Sequence, residues 1–124
     1  MLADARLQTI VCTARIREAE RFYGEVLGLC CKGRSHGALV YDVGGAELRL
    51  SPVATTTPSA HAVLGFAVAD VAAAAAGLEA RGVRLERFAG FAHDAAGLVT
   101  LADGTRVAWL RDVDGNLLSL VQYA

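Results

Sequence analysis

The chain reads as the same pattern written twice, and that repeat limits what it can fold into more than any other feature. Residues 8–13, Gln-Thr-Ile-Val-Cys-Thr, are rich in β-branched side chains and predict a strand. A helix is expected over 16–27, where Ile16, Ala19, Phe22, Tyr23, Val26 and Leu27 fall on one apolar stripe. Gly28 is placed to stop it. Three strands are then expected over 30–33, 38–43 and 46–51. The first two are separated by Arg34-Ser35-His36-Gly37, and the last two by the hairpin signal Gly44-Gly45.

After residue 61 the order recurs. A strand is expected over 62–68. Asp70 is a suitable N-cap for a helix over 71–81, with Gly82 as its stop. Strands over 83–88, 105–111 and 117–122 complete the second copy, with a Gly- and Ala-rich loop over 89–104. Both halves therefore read β-α-β-β-β, with a period of about 60 residues. The expected fold class is α+β, a single domain made of two modules, 1–52 and 62–124. Residues 53–61, which are small, polar and proline-bearing, form the linker.

Composition narrows the function classes. With 124 residues and 54% apolar side chains, the chain can bury a sizeable core. A net charge of −1, with arginines interleaved among glutamates, lacks the clustered basic excess of a nucleic-acid surface. No run approaches the roughly 20 apolar residues of a membrane span. The first residues lack the charged-then-apolar pattern of a leader, so a cytoplasmic protein is expected. The three cysteines, two of them adjacent at 30 and 31, fit no disulfide framework and predict reduced thiols. There is no P-loop, dinucleotide fingerprint or nucleophile–base pair.

Two segments carry a family resemblance. The first helix contains Glu20-Arg21-Phe22-Tyr23-Gly24-Glu25-Val26-Leu27-Gly28-Leu29. The last hairpin reads Arg111-Asp112-Val113-Asp114-Gly115-Asn116-Leu117-Leu118-Ser119-Leu120. Together with the paired β-α-β-β-β order, these resemble the vicinal oxygen chelate superfamily of glyoxalases, bleomycin resistance proteins, extradiol dioxygenases and fosfomycin resistance enzymes. The resemblance covers nearly the whole chain. It implies two modules whose curved mixed sheet surrounds a cavity. In metal-dependent members it also implies one metal ligand, His or Glu, on the first and last strand of each module.

Carried onto this chain, those positions fall on Gln8, Arg49, Val63 and Ser119. Gln can ligate a metal, but Arg stays protonated and Val has no donor atom. Ser is a weak ligand. The resemblance thus implies the fold without its metal, and no cofactor is expected. A register slip of two would offer Gln8, Glu47 and His61 instead, because strand periodicity keeps these on the same faces.

Strand alternation then divides the residues. Thr9, Val11, Leu48, Leu50, Leu64, Phe66, Val68, Leu118 and Leu120 are expected in the core. Gln8, Ile10, Cys12, Glu47, Arg49, Val63, Gly65, Ala67, Ser119 and Val121 are expected on the concave side. That mixture of apolar walls and a few polar groups suits a small-molecule pocket. Gln8, Cys12, Glu47, Arg49, Val63, Trp109 and Ser119 are the expected ligand contacts.

Arg49 reads either as a Glu-paired surface arginine or as an anchor for an anion or carbonyl. Trp109 reads as a core aromatic or as a stacking platform, and Tyr41 and Phe91 have the same two readings. His93, in the long loop, reads as a solvated side chain or as a general base. The expected function is capture of a small organic ligand, as in drug-sequestering bleomycin resistance proteins. The alternative is a metal-dependent or cofactor-free lyase or dioxygenase of the same fold. A homodimer is expected, because each module's sheet has open edges.

Overall fold

The computed structural model describes residues 1–124. The chain forms two compact units, Met1–Thr56 and Thr57–Ala124. Each holds one four-stranded mixed sheet and one principal helical segment, so the class is α+β with two modules.

In the first unit the elements are β1 (Gln8–Thr13), α1 (Ile16–Arg21), β2 (Cys30–Ser35), β3 (Ala38–Val43) and β4 (Ala46–Pro52), with sheet order β1-β4-β3-β2. The β1–β4 pair is parallel and the other pairs are antiparallel. Gly44 and Gly45 both take positive φ, +56° and +89°, which lets two residues reverse the chain between Val43 and Ala46. The β2–β3 turn is tighter than the sequence suggests. Pairing continues to Ser35, which leaves only His36 and Gly37 as the loop, and a bulge between Cys31 and Gly33 adjusts the register.

The helix expected over 16–27 is α-helical only to Arg21. It continues as a π turn over Phe22–Val26, and the Leu27 amide bonds the Phe22 carbonyl at 2.9 Å. The wider turn still turns Tyr23 fully inward, 6.3 Å from the Tyr41 ring. A stripe spaced three and four apart does not distinguish this turn from regular helix. On the same side of the sheet, Val11, Leu39, Leu48 and Leu50 are buried with Ala19 of α1. Each fully buried leucine contributes roughly 1.5–3 kcal/mol.

The second unit contains β5 (Ala62–Ala67), α2 (Val71–Ala80), β6 (Val99–Thr100), β7 (Arg106–Arg111) and β8 (Leu117–Gln122), in sheet order β5-β8-β7-β6. Asp70 caps α2 as expected, accepting from the Ala73 amide at 3.0 Å. The Gln122 side chain accepts from the Val71 amide at 2.9 Å, which ties the helix start to the end of β8. Val71, Ala75 and Leu78 form the buried stripe of α2, and Ala108, Leu110, Leu118 and Leu120 are the buried residues of β7 and β8.

The strand expected over 83–88 does not form. Only Glu86 makes a bridge, to Trp109, and the sheet's edge position is taken by β6 inside the segment expected to be loop. Side chains hold this region in place of a ladder. The Phe88 amide donates to His93 Nε2 at 2.9 Å, and Arg87 donates to the carbonyls of Asp94 and Ala95 at 3.0 Å. No helix is long and apolar enough to cross a membrane.

The last hairpin is organised by one carboxylate. Asp112 Oδ1 accepts from the amides of Asp114 and Asn116, both at 2.9 Å, and Oδ2 accepts from Asn116 Nδ2 at 2.8 Å. Gly115 takes φ +83°, and a Cβ there would lie 2.9 Å from Pro58. The end of the expected linker is stitched to this hairpin. Ser59 Oγ accepts from the Leu117 amide at 2.8 Å, and Arg111 donates to the Ser59 and Gly115 carbonyls at 2.8 and 2.7 Å.

Candidate functional site

Each sheet buries one face and leaves the other open, with the alternation expected from the sequence. On the first sheet, parallel pairing sets Gln8 beside Glu47, Ile10 beside Arg49, and Cys12 beside Ser51. Gln8 and Cys12 are exposed, and Ile10 is 56% exposed. Arg49 is the most covered of the polar groups here. It donates to the Ser35 carbonyl at 2.6 Å and lies 3.4 Å from the Glu47 carboxylate. The Glu-paired reading of Arg49 therefore holds. The guanidinium has five N–H donors, so these two contacts leave others for a ligand. Gln8 and Glu47 also border a shallow depression of about 340 Å³ with Arg6 and Leu7.

On the second sheet, Gly65, Ser119 and Trp109 stand in one row across β5, β8 and β7. A Cβ on Gly65 would lie 3.1 Å from Ser119 Oγ, so the glycine keeps that hydroxyl approachable. Val63 sits in a bulge between Ala62 and Leu64, has no partner residue on β8, and is 46% exposed. His61 precedes β5 and is exposed.

Trp109 is half-buried and ringed by aromatic side chains. Phe91 lies 5.3 Å away, Phe88 5.4 Å in edge-to-face contact, and His93 6.1 Å. Phe91 remains 49% exposed and is tilted 52° to the Trp109 ring, so the cluster presents apolar ring surface to solvent. His93 is not placed as a general base. Its Nε2 accepts from the Phe88 amide, and its Nδ1 lies 2.8 Å from the Gly97 carbonyl, so both ring nitrogens are committed to the loop. Glu86 and Arg111 close the row with an ion pair at 2.8 Å.

The sequence did not single out Phe88, Glu86 or Arg111. One signal was available for Phe88, three aromatic or imidazole side chains within six residues, Phe88 to His93, upstream of the only tryptophan; none was available for the Glu86–Arg111 pair.

The donor chemistry at the metal positions is poor. Arg49 has no lone pair to offer and is paired with Glu47, while Val63 has no donor atom. Within each unit, no three His, Cys, Asp or Glu side chains gather into a group that could hold a metal ion. Arg49 and Val63 therefore do not fit a divalent metal held at the four positions carried over from the family.

Two mixed sheets with open faces, each built on β-α-β-β-β or a variant of it, define a glyoxalase-like protein. The family model described as Glyoxalase/Bleomycin resistance protein/Dioxygenase superfamily matches residues 6–120, and the chain belongs to that superfamily. Among solved structures, it is similar to a protein described as lactoylglutathione lyase from Agrobacterium tumefaciens. Identity is 18%, the TM-score is 0.73, and 96% of this chain and 93% of that chain are covered. It is also similar to an integron cassette protein from the mobile metagenome of V. cholerae, with 22% identity, TM-score 0.70, and coverage of 100% and 98%. A third is an integron cassette protein from Halifax Harbour sewage outfall, with 17% identity, TM-score 0.75, and coverage of 96% and 98%. At these identities the likeness shows the fold. No curated protein matches the chain.

Proposed function

We propose that this protein binds a small, flat organic molecule without a metal, sequestering it rather than converting it. The observation that carries this reading is the donor set. Arg49 and Val63 replace ligating residues, and Arg49 is tied to Glu47 and the Ser35 carbonyl. The open face of the second sheet supports the ligand class. There Trp109 and Phe91 offer area for stacking, and the Ser119 hydroxyl offers a polar contact beside them. Val63 borders this face as an apolar contact. Gln8, Cys12, Glu47 and Arg49 are the proposed polar contacts on the first sheet.

Drug sequestration, by analogy with the bleomycin resistance proteins in the family's name, is one form of this reading. The alternative is a cofactor-free lyase or a dioxygenase. Its support is the Glu47 carboxylate beside Arg49, a pair able to move a proton and polarise a carbonyl. A homodimer in the cytoplasm belongs to the leading reading. The open edges of each four-stranded sheet support the dimer, and light scattering tests it.

Elemental analysis of the purified protein tests the main claim. Sub-stoichiometric metal, and ligand binding indifferent to chelator, are the expected results. Stoichiometric Zn, Ni, Mn or Fe would overturn it.

A further inference from the structure

The first unit has a second depression, on the side of its sheet that packs against α1 and away from the open face. Its volume is about 380 Å³. Arg17, Glu20, Arg21 and Glu25 form its charged wall, and their charges cancel. Gly24, in the π turn, adds no side chain, and nothing lies within 4 Å of where one would begin. Cys31 and Tyr41 complete the lining. They are directly opposite each other on β2 and β3 and so share a face.

Tyr41 is fully buried, and its hydroxyl has no hydrogen-bond partner. A buried donor without an acceptor is a cost that native folds rarely keep without a reason. Tyr41 lines this depression together with Cys31, its cross-strand partner, and Glu20. Burial pushes the phenol up to about 12, so it remains a proton donor under physiological conditions. Glu20 of this wall forms a long ion pair with Arg34, 3.9 Å at closest approach, and both side chains are about half exposed.

We propose that Cys31 is an oxidation site for a small hydroperoxide, and that the Tyr41 hydroxyl donates a hydrogen bond to the oxygen the sulfur gains. The Cys31 sulfur attacks the nearer peroxide oxygen, an S–O bond forms and the O–O bond breaks. The thiol proton goes to the departing oxygen, which leaves as an alcohol or water. Sulfur loses two electrons, the peroxide gains them, and the product is a sulfenic acid. A neutral, compact oxidant suits a wall whose charges cancel. The added oxygen supplies the acceptor that Tyr41 lacks.

The other two thiols are internal controls. Cys12, Cys30 and Cys31 are all exposed and in no disulfide. Cys30 faces the opposite side of the sheet across from Asp42, and Cys12 lies across from Ser51. Exposure alone therefore predicts equal reaction at all three.

The test treats the whole protein with dilute hydrogen peroxide, traps sulfenic acid with a 1,3-dicarbonyl reagent, and assigns the label by tandem mass spectrometry. Cys31 should label about tenfold faster than Cys12 or Cys30, the upper end of what one hydrogen bond to a neutral oxygen supplies. Tyr41→Phe should remove that preference while the protein stays folded. Equal labelling of all three cysteines in the wild-type protein would overturn the proposal. So would an undiminished Cys31 preference in Tyr41→Phe.

Discussion

Gly65 and Ser119 stand directly opposite each other on parallel strands, and a methyl group on Gly65 would lie 3.1 Å from the serine hydroxyl. The glycine thus sets how closely a ligand can approach both Ser119 and its neighbour Trp109. Gly65→Ala should fold, since only a shift of a few tenths of an ångström is needed. Ligand affinity should fall about tenfold, the scale at which one methyl group is felt in a pocket. Thermal melting and a binding isotherm on the same sample separate the two effects.

The final hairpin should depend on Asp112 more than on any other polar residue in it. Asp112→Ala removes the acceptor of two backbone amides and of the Asn116 side chain. A loss of roughly 2–3 kcal/mol is expected in urea denaturation, and Asp112→Asn should cost less because one amide-accepting oxygen survives. Gly115→Ala should be comparably harmful, because it meets both the positive φ and Pro58.

Tyr41 gives the protein a specific alkaline weakness. Its folded-state value is raised to about 12 from an ordinary 10.0. Between those values the unfolded phenol ionises while the folded one stays neutral, so the stability present below pH 10 falls as pH rises towards 12. Tyr41→Phe should remove this component of the decline. Near neutral pH it should leave stability unchanged or raise it by up to about 1 kcal/mol, since it deletes an unpaired buried hydroxyl. Denaturation midpoints between pH 7 and 12 for both proteins provide the check.

His93 should matter to the loop and not to proton transfer. His93→Ala removes the acceptor of the Phe88 amide and the contact with the Gly97 carbonyl. Hydrogen exchange at Phe88 should accelerate sharply, while the amides of β8 remain protected.

The sequence made the strands that carry a plain alternation legible. β1, β3 and β8 lie where the β-branched and apolar runs put them, because burial on one face writes period two into the sequence. The Gly44-Gly45 turn and the Asp70 cap were equally readable, since each depends on a local residue requirement. The π turn at Phe22 was hidden, because one added residue in a helical turn hardly disturbs the apolar stripe. The absent strand at 83–88 was hidden for a different reason. Val83, Leu85 and Phe88 are apolar enough for a strand, but the Phe88 amide donates to His93 and Arg87 ties the segment to the carbonyls of Asp94 and Ala95. The aromatic ring around Trp109 follows from that loop, so it was visible as composition and not as a cluster.

The most direct test of metal-free ligand capture uses the single tryptophan, since Trp109 lies within the proposed contact surface. Tryptophan fluorescence should be recorded while chelator-treated protein is titrated with a panel of flat aromatic compounds, followed by recovery and analysis of each ligand. The account predicts saturable quenching by at least one compound, at the same affinity with and without chelator, with the ligand recovered unchanged and the response lost in Ser119→Val combined with Phe91→Ala. Quenching that appears only after Zn, Ni, Mn or Fe is restored, or recovery of a converted product, would contradict it.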